Sequence, residues 1–95
     1  MRVITNRRLL EFSAKFKDSQ EPLQAWRKLM EFSFFKNFAE VKQVFASADK
    51  VRDLYVFNIC GNKYRLVAHL QFERQLCYIK AVLTHKDYDK DGWKK

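Results

Sequence analysis

The sequence is short of the residues that break or tether a chain. Its 95 positions hold only two Gly, one Pro and two Cys. With so few breakers, and with no Ser- or Gly-rich stretch, repeat or low-complexity segment, nothing marks a linker, and one domain over 1–95 is expected. Two Cys make no disulfide framework, and together with His69 and His85 they offer no close-spaced ligand set. No metal or other cofactor is expected, and Cys60 and Cys77 read as reduced packing residues. Long apolar runs are also missing. Ile79 with Ala81, Val82 and Leu83 is interrupted by charge well short of the roughly 18 residues of a membrane span. The opening Met1-Arg2-Val3-Ile4, followed by Arg7 and Arg8, has no apolar segment of a secretory signal. A cytoplasmic protein without membrane contact is the expectation.

Acid is the remaining scarcity. Eleven Asp and Glu stand against nineteen Lys and Arg, a formal charge of +8. Such a field draws in polyanions, nucleic acid first among them, although a Lys surplus also serves solubility. What the chain has in quantity is apolar area. Hydrophobic residues make up 47%, with nine Phe, four Tyr and two Trp, which supplies a core and excludes intrinsic disorder.

The first half has helical periodicity. Leu9, Phe12 and Phe16 share one face of a helix over about 7–17, capped by Thr5 or Asn6. Asp18 or Ser19 caps a second, with Pro22 in its first turn and Leu23, Trp26, Leu29 and Met30 as its stripe. Asn37 and Glu40 have capping-box spacing ahead of a short third helix, and 46–50 reads as a turn. From Val51 the period switches to two. Strands are expected at 54–59, 63–72 and 76–84, joined by a two-residue hairpin at Gly61-Asn62 and by Glu73-Arg74-Gln75. The resulting class is α+β, with two to three N-terminal helices on a small antiparallel meander and Met1–Ile4 as a candidate edge strand. The polar tail, 86–95, is expected to be flexible beyond Tyr88.

Alternation in the middle strand sends Tyr64, Leu66, Ala68, Leu70 and Phe72 to one face and Lys63, Arg65, Val67, His69 and Gln71 to the other. In the next strand Cys77, Ile79, Ala81 and Leu83 oppose Tyr78, Lys80 and Val82, which adds Lys80 to a basic face. RNA cleavage through the RNA's own 2′-hydroxyl needs a proton acceptor, cations for the phosphorane and a donor to the leaving oxygen. Arg65 suits the phosphate because its planar guanidinium grips two oxygens, with Lys63 as a supporting charge. At the end of the last strand His85 offers an imidazole, a general acid or base by residue type, and Tyr88 a phenol that both stacks and hydrogen-bonds. Arg74 and Lys86 add cations for RNA. Each of these residues has a plainer role as a surface cation or strand-end hydrogen bonder, and His69, mid-strand, reads as structural.

Two stretches, Phe57-Asn58-Ile59-Cys60-Gly61-Asn62-Lys63-Tyr64-Arg65-Leu66-Val67 and Val82-Leu83-Thr84-His85-Lys86-Asp87-Tyr88-Asp89-Lys90, resemble the C-terminal half of HigB toxins of the RelE-like superfamily. Arg2-Val3-Ile4, Pro22-Leu23-Gln24-Ala25-Trp26 and Lys36-Asn37-Phe38-Ala39-Glu40-Val41 extend the resemblance over nearly the whole chain. It implies a RelE-like fold and a ribosome-dependent mRNA endoribonuclease, the toxin of a type II module, acting on mRNA at the 70S ribosome. It also implies a helix-turn-helix antitoxin of the HigA type, through which alone the toxin would meet operator DNA. Arg65 then stands for the family's sheet arginine, His85 for the residue ending the last strand and Tyr88 for the C-terminal aromatic. A non-enzymatic RNA- or ribosome-binding domain, or a toxin-like subunit of a repressor complex, would share the basic, aromatic sheet.

Overall fold

Helices fill the first half of the chain and strands the second, in a computed structural model that describes residues 1–90 and 92–94. After β1 (Arg2–Ile4) comes α1 (Asn6–Lys15), where Leu9 is fully buried and Phe12 and Phe16 pack against the core. In α2 (Gln20–Phe32) the buried stripe is Leu23, Trp26 and Met30. Leu29, expected in that stripe, lies on its flank and stays exposed. Asn37 caps α3 (Phe38–Val44) as its spacing predicts: its side chain accepts from the Glu40 amide at 3.1 Å, while the Glu40 carboxylate accepts from the Lys36 amide at 2.7 Å.

The sheet has five strands where a meander of three plus an edge was expected. Asp49–Val51 forms β2, in a segment read as a turn because its first two residues are charged; polar character is how short edge strands avoid pairing with strangers. It leads through Arg52-Asp53 into β3 (Leu54–Ile59), followed by β4 (Tyr64–Gln71) and β5 (Leu76–Thr84). The spatial order is β1-β5-β4-β3-β2. β1 is an edge strand as predicted, but it lies parallel to β5, so the sheet is mixed; the chain reaches β5 through the helices and meander, not a hairpin. The three N-terminal helices cover one face. There Phe57 packs edge-on to Trp26 at 5.3 Å and Phe45 at 5.2 Å, and Phe12 meets Tyr64 at 5.1 Å.

Two departures from simple alternation shape the other face. The β4–β5 register slips between Val67 and Ala68, so that Val67 faces Ala81, Ala68 faces Ile79 and Lys80 is the extra residue of a bulge. Below it Cys77 and Ile79 face the helices as expected; above it the parity reverses, leaving Ala81 and Leu83 opposite Val67 and Arg65 on the outer face. The hairpin at Gly61-Asn62 is also longer than predicted. Ile59 and Tyr64 form the last pair, because Cys60 (φ 56°) and Gly61 (φ 66°) both turn left-handed and leave the ladder. The tail is not loose where described: α4 (His85–Asp89) and a 3-10 turn, Gly92–Lys94, fold back beside the sheet. The parts of that call at 91 and 95 lie outside the described residues.

Burial pushes the Cys77 thiol up to about 12, which makes it an inert packing group. Gln75, at φ 56° in the β4–β5 turn, ties the sheet to the helical layer: its amide donates to the carbonyls of Phe35 (2.6 Å) and Phe72 (2.7 Å), and its oxygen accepts from the Phe35 amide (3.2 Å). Gln75→Ala leaves those backbone groups short of partners and is expected to cost about 1–3 kcal/mol. The midpoint of urea unfolding reads this. Gln75→Gly relieves the left-handed backbone and still lacks the amide, so it is expected to remain well below the parent.

Candidate active site

Arg65 occupies the outer face of β4 but is not the solvated cation that alternation suggests. It is 8% exposed. Its Nη1 donates to the carbonyls of Asn62 (3.0 Å) and Tyr64 (3.2 Å), and Nη2 donates to Asn62 Oδ1 (2.6 Å). The Tyr88 ring lies 5.4 Å from Cζ, and Trp93 stacks on Tyr88 at 4.8 Å with planes 15° apart. Trp93 Nε1 donates to the Tyr88 carbonyl at 2.8 Å, closing the strap. Trp93 also rims a shallow hollow with Leu54, Val67 and Ala81. That cover explains why Val67, which points away from the helices, is buried.

Three N–H donors of the guanidinium are thus committed to neutral acceptors. Asn62 takes the end-on fork, and the side-on fork, Nε–H with the second Nη2–H, is left without a protein acceptor among the described residues. No described carboxylate pairs with Arg65. A positive charge held in place by a side-chain amide, two carbonyls and a ring, with one fork open, is built to receive an oxyanion.

His85 opens α4 instead of ending β5. Thr84 caps the helix, its hydroxyl accepting from the Asp87 amide at 3.2 Å. The helical turn brings Asp89 to His85, with Nδ1 and Oδ2 3.1 Å apart, and both side chains are about half exposed or more, at 48% and 63%. A carboxylate at Nδ1 orients the ring and leaves Nε2 free for proton transfer. Thr84 stands opposite Tyr64 and Leu83 opposite Arg65, so His85, Arg65 and Tyr88 gather at one corner of the sheet. Asn62 and Asp89 serve this corner without a signature in the sequence. Asn62 reads as a turn residue, and the spacing of His85 and Asp89 has meaning only once a helix is assumed there.

Lys63 does not join them. It lies in the turn before β4, where strand alternation has not begun, and it swings to the helical side to ion-pair with Asp18. Tyr64 donates its hydroxyl to the other oxygen of Asp18 at 2.6 Å. The Lys63 ammonium and the Tyr64 hydroxyl hold the Asp18 carboxyl below its ordinary value; in return Asp18 raises Lys63 and Tyr64. Lys86 is exposed on α4, near the corner. Lys80 is exposed on the bulge, at the rim of the Trp93 hollow. Arg74 sits in the β4–β5 turn at the opposite end of the sheet, beyond about 20 Å of strand from Arg65 to Gln71. Among the described residues no cluster of three or more His, Cys, Asp or Glu is arranged to hold a metal ion. None of their helices is long and apolar enough to cross a membrane.

Comparison with known proteins gives a consistent set of relatives. Residues 19–91 match the family model HigB_toxin, described as the RelE-like toxic component of a toxin-antitoxin system. The mRNA interferase toxin HigB of Escherichia coli (strain K12) is 39% identical over 92 residues, covering 94% of this chain and 88% of that protein. The mRNA interferase HigB of Shigella flexneri matches to the same extent. The mRNA interferase HigB of Escherichia coli O6:H1 is 23% identical over 93 residues, covering 95% and 90%.

The Asp18 cluster has a pH signature. A carboxyl whose folded pKa is depressed contributes stability above its ordinary value of 3.8 and loses it as pH falls through the lowered value. Asp18→Asn is therefore expected to melt below the parent at pH 7, with the difference shrinking once the pH drops under 3.8. Raised Lys63 and Tyr64 put the alkaline loss above their ordinary 10.5 and 10.0. Thermal melts from pH 2 to 7 check the acid limb; a constant difference throughout would remove Asp18 as its source.

Proposed function

Because this chain belongs to the HigB toxin family and is an mRNA endoribonuclease, we propose that it cleaves mRNA on translating ribosomes, without a metal ion, by attack of the RNA's own 2′-hydroxyl. The observation that carries the division of roles is the open side-on fork of Arg65, held rigid by Asn62 and Tyr88. Arg65 grips two oxygens of the scissile phosphate and stabilises the phosphorane charge. His85, oriented by Asp89, exchanges the proton at the 2′-hydroxyl or the departing 5′-oxygen. Tyr88 keeps one ring face toward Arg65 and offers its hydroxyl as a second proton relay. Lys86 and Lys80 bring the RNA backbone to the face. Lys63 supports the site only through the Asp18 pin, not by touching phosphate, and Arg74 belongs to the approach of the RNA.

An antitoxin completes the module, since the family is the toxic half of a pair. It is proposed to be a helix-turn-helix protein of the HigA type, acidic where it meets this +8 chain, that covers Arg65 or blocks docking on the ribosome. Operator DNA is then reached through the antitoxin. The working compartment is the cytoplasm, where ribosomes and mRNA are.

Arg65→Ala is expected to lower ribosome-coupled mRNA cleavage about 10²–10³-fold. Because Arg65 is buried, thermal unfolding is measured beside activity, and Arg65→Lys, which keeps the charge but not the fork, is expected to rescue poorly. His85→Ala, at an exposed position, is expected to abolish growth arrest with little change in melting temperature. Near-normal cleavage by both variants would remove this site from the reaction. Affinity for ribosomes is expected to fall steeply with added salt, as Lys and Arg displace counterions from phosphates. A binding isotherm series between 50 and 200 mM salt reads the slope.

A further inference from the structure

The face that carries Arg65 continues past the reacting corner. Along β4 it presents Arg65, Val67 and then His69, and His69 stands opposite Tyr78 of β5. The two rings lie 6.2 Å apart at 31°, and both residues are half-buried. Neither the imidazole nor the Tyr78 hydroxyl hydrogen-bonds to a described residue. His85 and the Tyr64 hydroxyl are engaged, by Asp89 and Asp18, whereas the Tyr55 and Tyr88 hydroxyls, like that of Tyr78, have no hydrogen-bond partner among the described residues. Between this pair and Arg65 the bulge pushes out Lys80, exposed and without an ion-pair partner among the described residues.

A cross-strand ring pair stabilises a sheet through its packing, up to about 1 kcal/mol, and needs no polar tips for that. Polar tips without partners, on flat rings at the edge of an apolar sheet face, match a ligand that is flat and carries donors and acceptors on its rim. On a face whose other ligand is phosphate, that ligand is a nucleobase of single-stranded RNA. Four residues of strand separate His69 from Arg65, about 13 Å, too far for the base of the nucleotide being cut.

We propose that His69 and Tyr78 form a base-recognition subsite for a neighbour of the cleaved nucleotide, with Lys80 on the intervening phosphate, so that this pair sets sequence preference. The subsite rests on the role given to Arg65 above. Tyr78 supplies the stacking surface and the His69 ring nitrogens read the rim of the base; neither takes part in bond making.

The test uses the full-length protein with ribosomes translating an mRNA library of random codons, scoring every cut site, together with steady-state rates on one efficiently cut message. Tyr78→Leu and His69→Leu keep apolar bulk and remove the ring or its nitrogens. Each is expected to raise KM about tenfold, in line with about 1–3 kcal/mol per stacked base, to change kcat far less, and to flatten base preference at one position away from the cut. Tyr78→Phe is expected to recover most of the KM and only part of the preference. A parental cut-site profile and KM in folded variants overturns the subsite, and His69→Leu alone decides this if Tyr78→Leu does not fold. Failure of the parent protein to cleave, or full cleavage by Arg65→Ala, overturns the reaction assignment instead, which keeps the two outcomes separate.

Discussion

An arginine only 8% exposed needs partners, and those that Arg65 finds among the described residues, for three of its five N–H donors, are all neutral. Unpaired burial of charge is costly, so each surrounding feature is bound to that requirement. The turn before β4 has to leave the ladder early enough for Asn62 to reach back three residues, and left-handed Cys60 and Gly61 allow it. The chain after β5 has to turn at once into a helix, so that the Tyr88 ring meets the guanidinium, and Thr84 caps that helix. An acidic partner would have satisfied Arg65 more simply, and would also have neutralised its charge.

The two sides of the sheet divide the labour. Helices and aromatic pairs occupy one side, where Phe57, Leu66, Leu9 and Leu23 are fully buried or nearly so. The other side has only a short strap for cover, and its chemistry stands on backbone whose position the first side fixes. Asp18 links them at one end, binding Lys63 and Tyr64, and Gln75 links them at the other, binding Phe35 and Phe72. β4 runs between those two clamps. Arg65 and His69 are therefore carried by a strand tied to the helical layer at both ends.

Much of this was legible in the sequence, and the exceptions have physical reasons. The period change at Val51, the Asn37 cap and the apolar parity of β4 all point to the observed elements. Lys63 was placed on the wrong side because alternation was extended into a turn. Ala81, Leu83 and Val82 exchanged sides because a bulge leaves no mark in composition. Asp49 and Lys50 hid a strand since edge strands select against apolar residues. The strap was taken for a loose tail because its order depends on Trp93 finding Tyr88, a contact that exists only when the sheet does.

The parallel pairing of β1 with β5 has one more consequence, for synthesis. Arg2 pairs with Leu76, 74 positions later, and the corner at Arg65 is closed by residues 85 to 93. Nearly the whole chain must emerge before the sheet can finish or the strap can lie down, since distant pairings wait for both partners. A ribosome making this protein thus carries, for almost the entire message, a nascent chain in which the corner at Arg65 is not assembled. The topology delays closure of that corner until synthesis of the chain is nearly over.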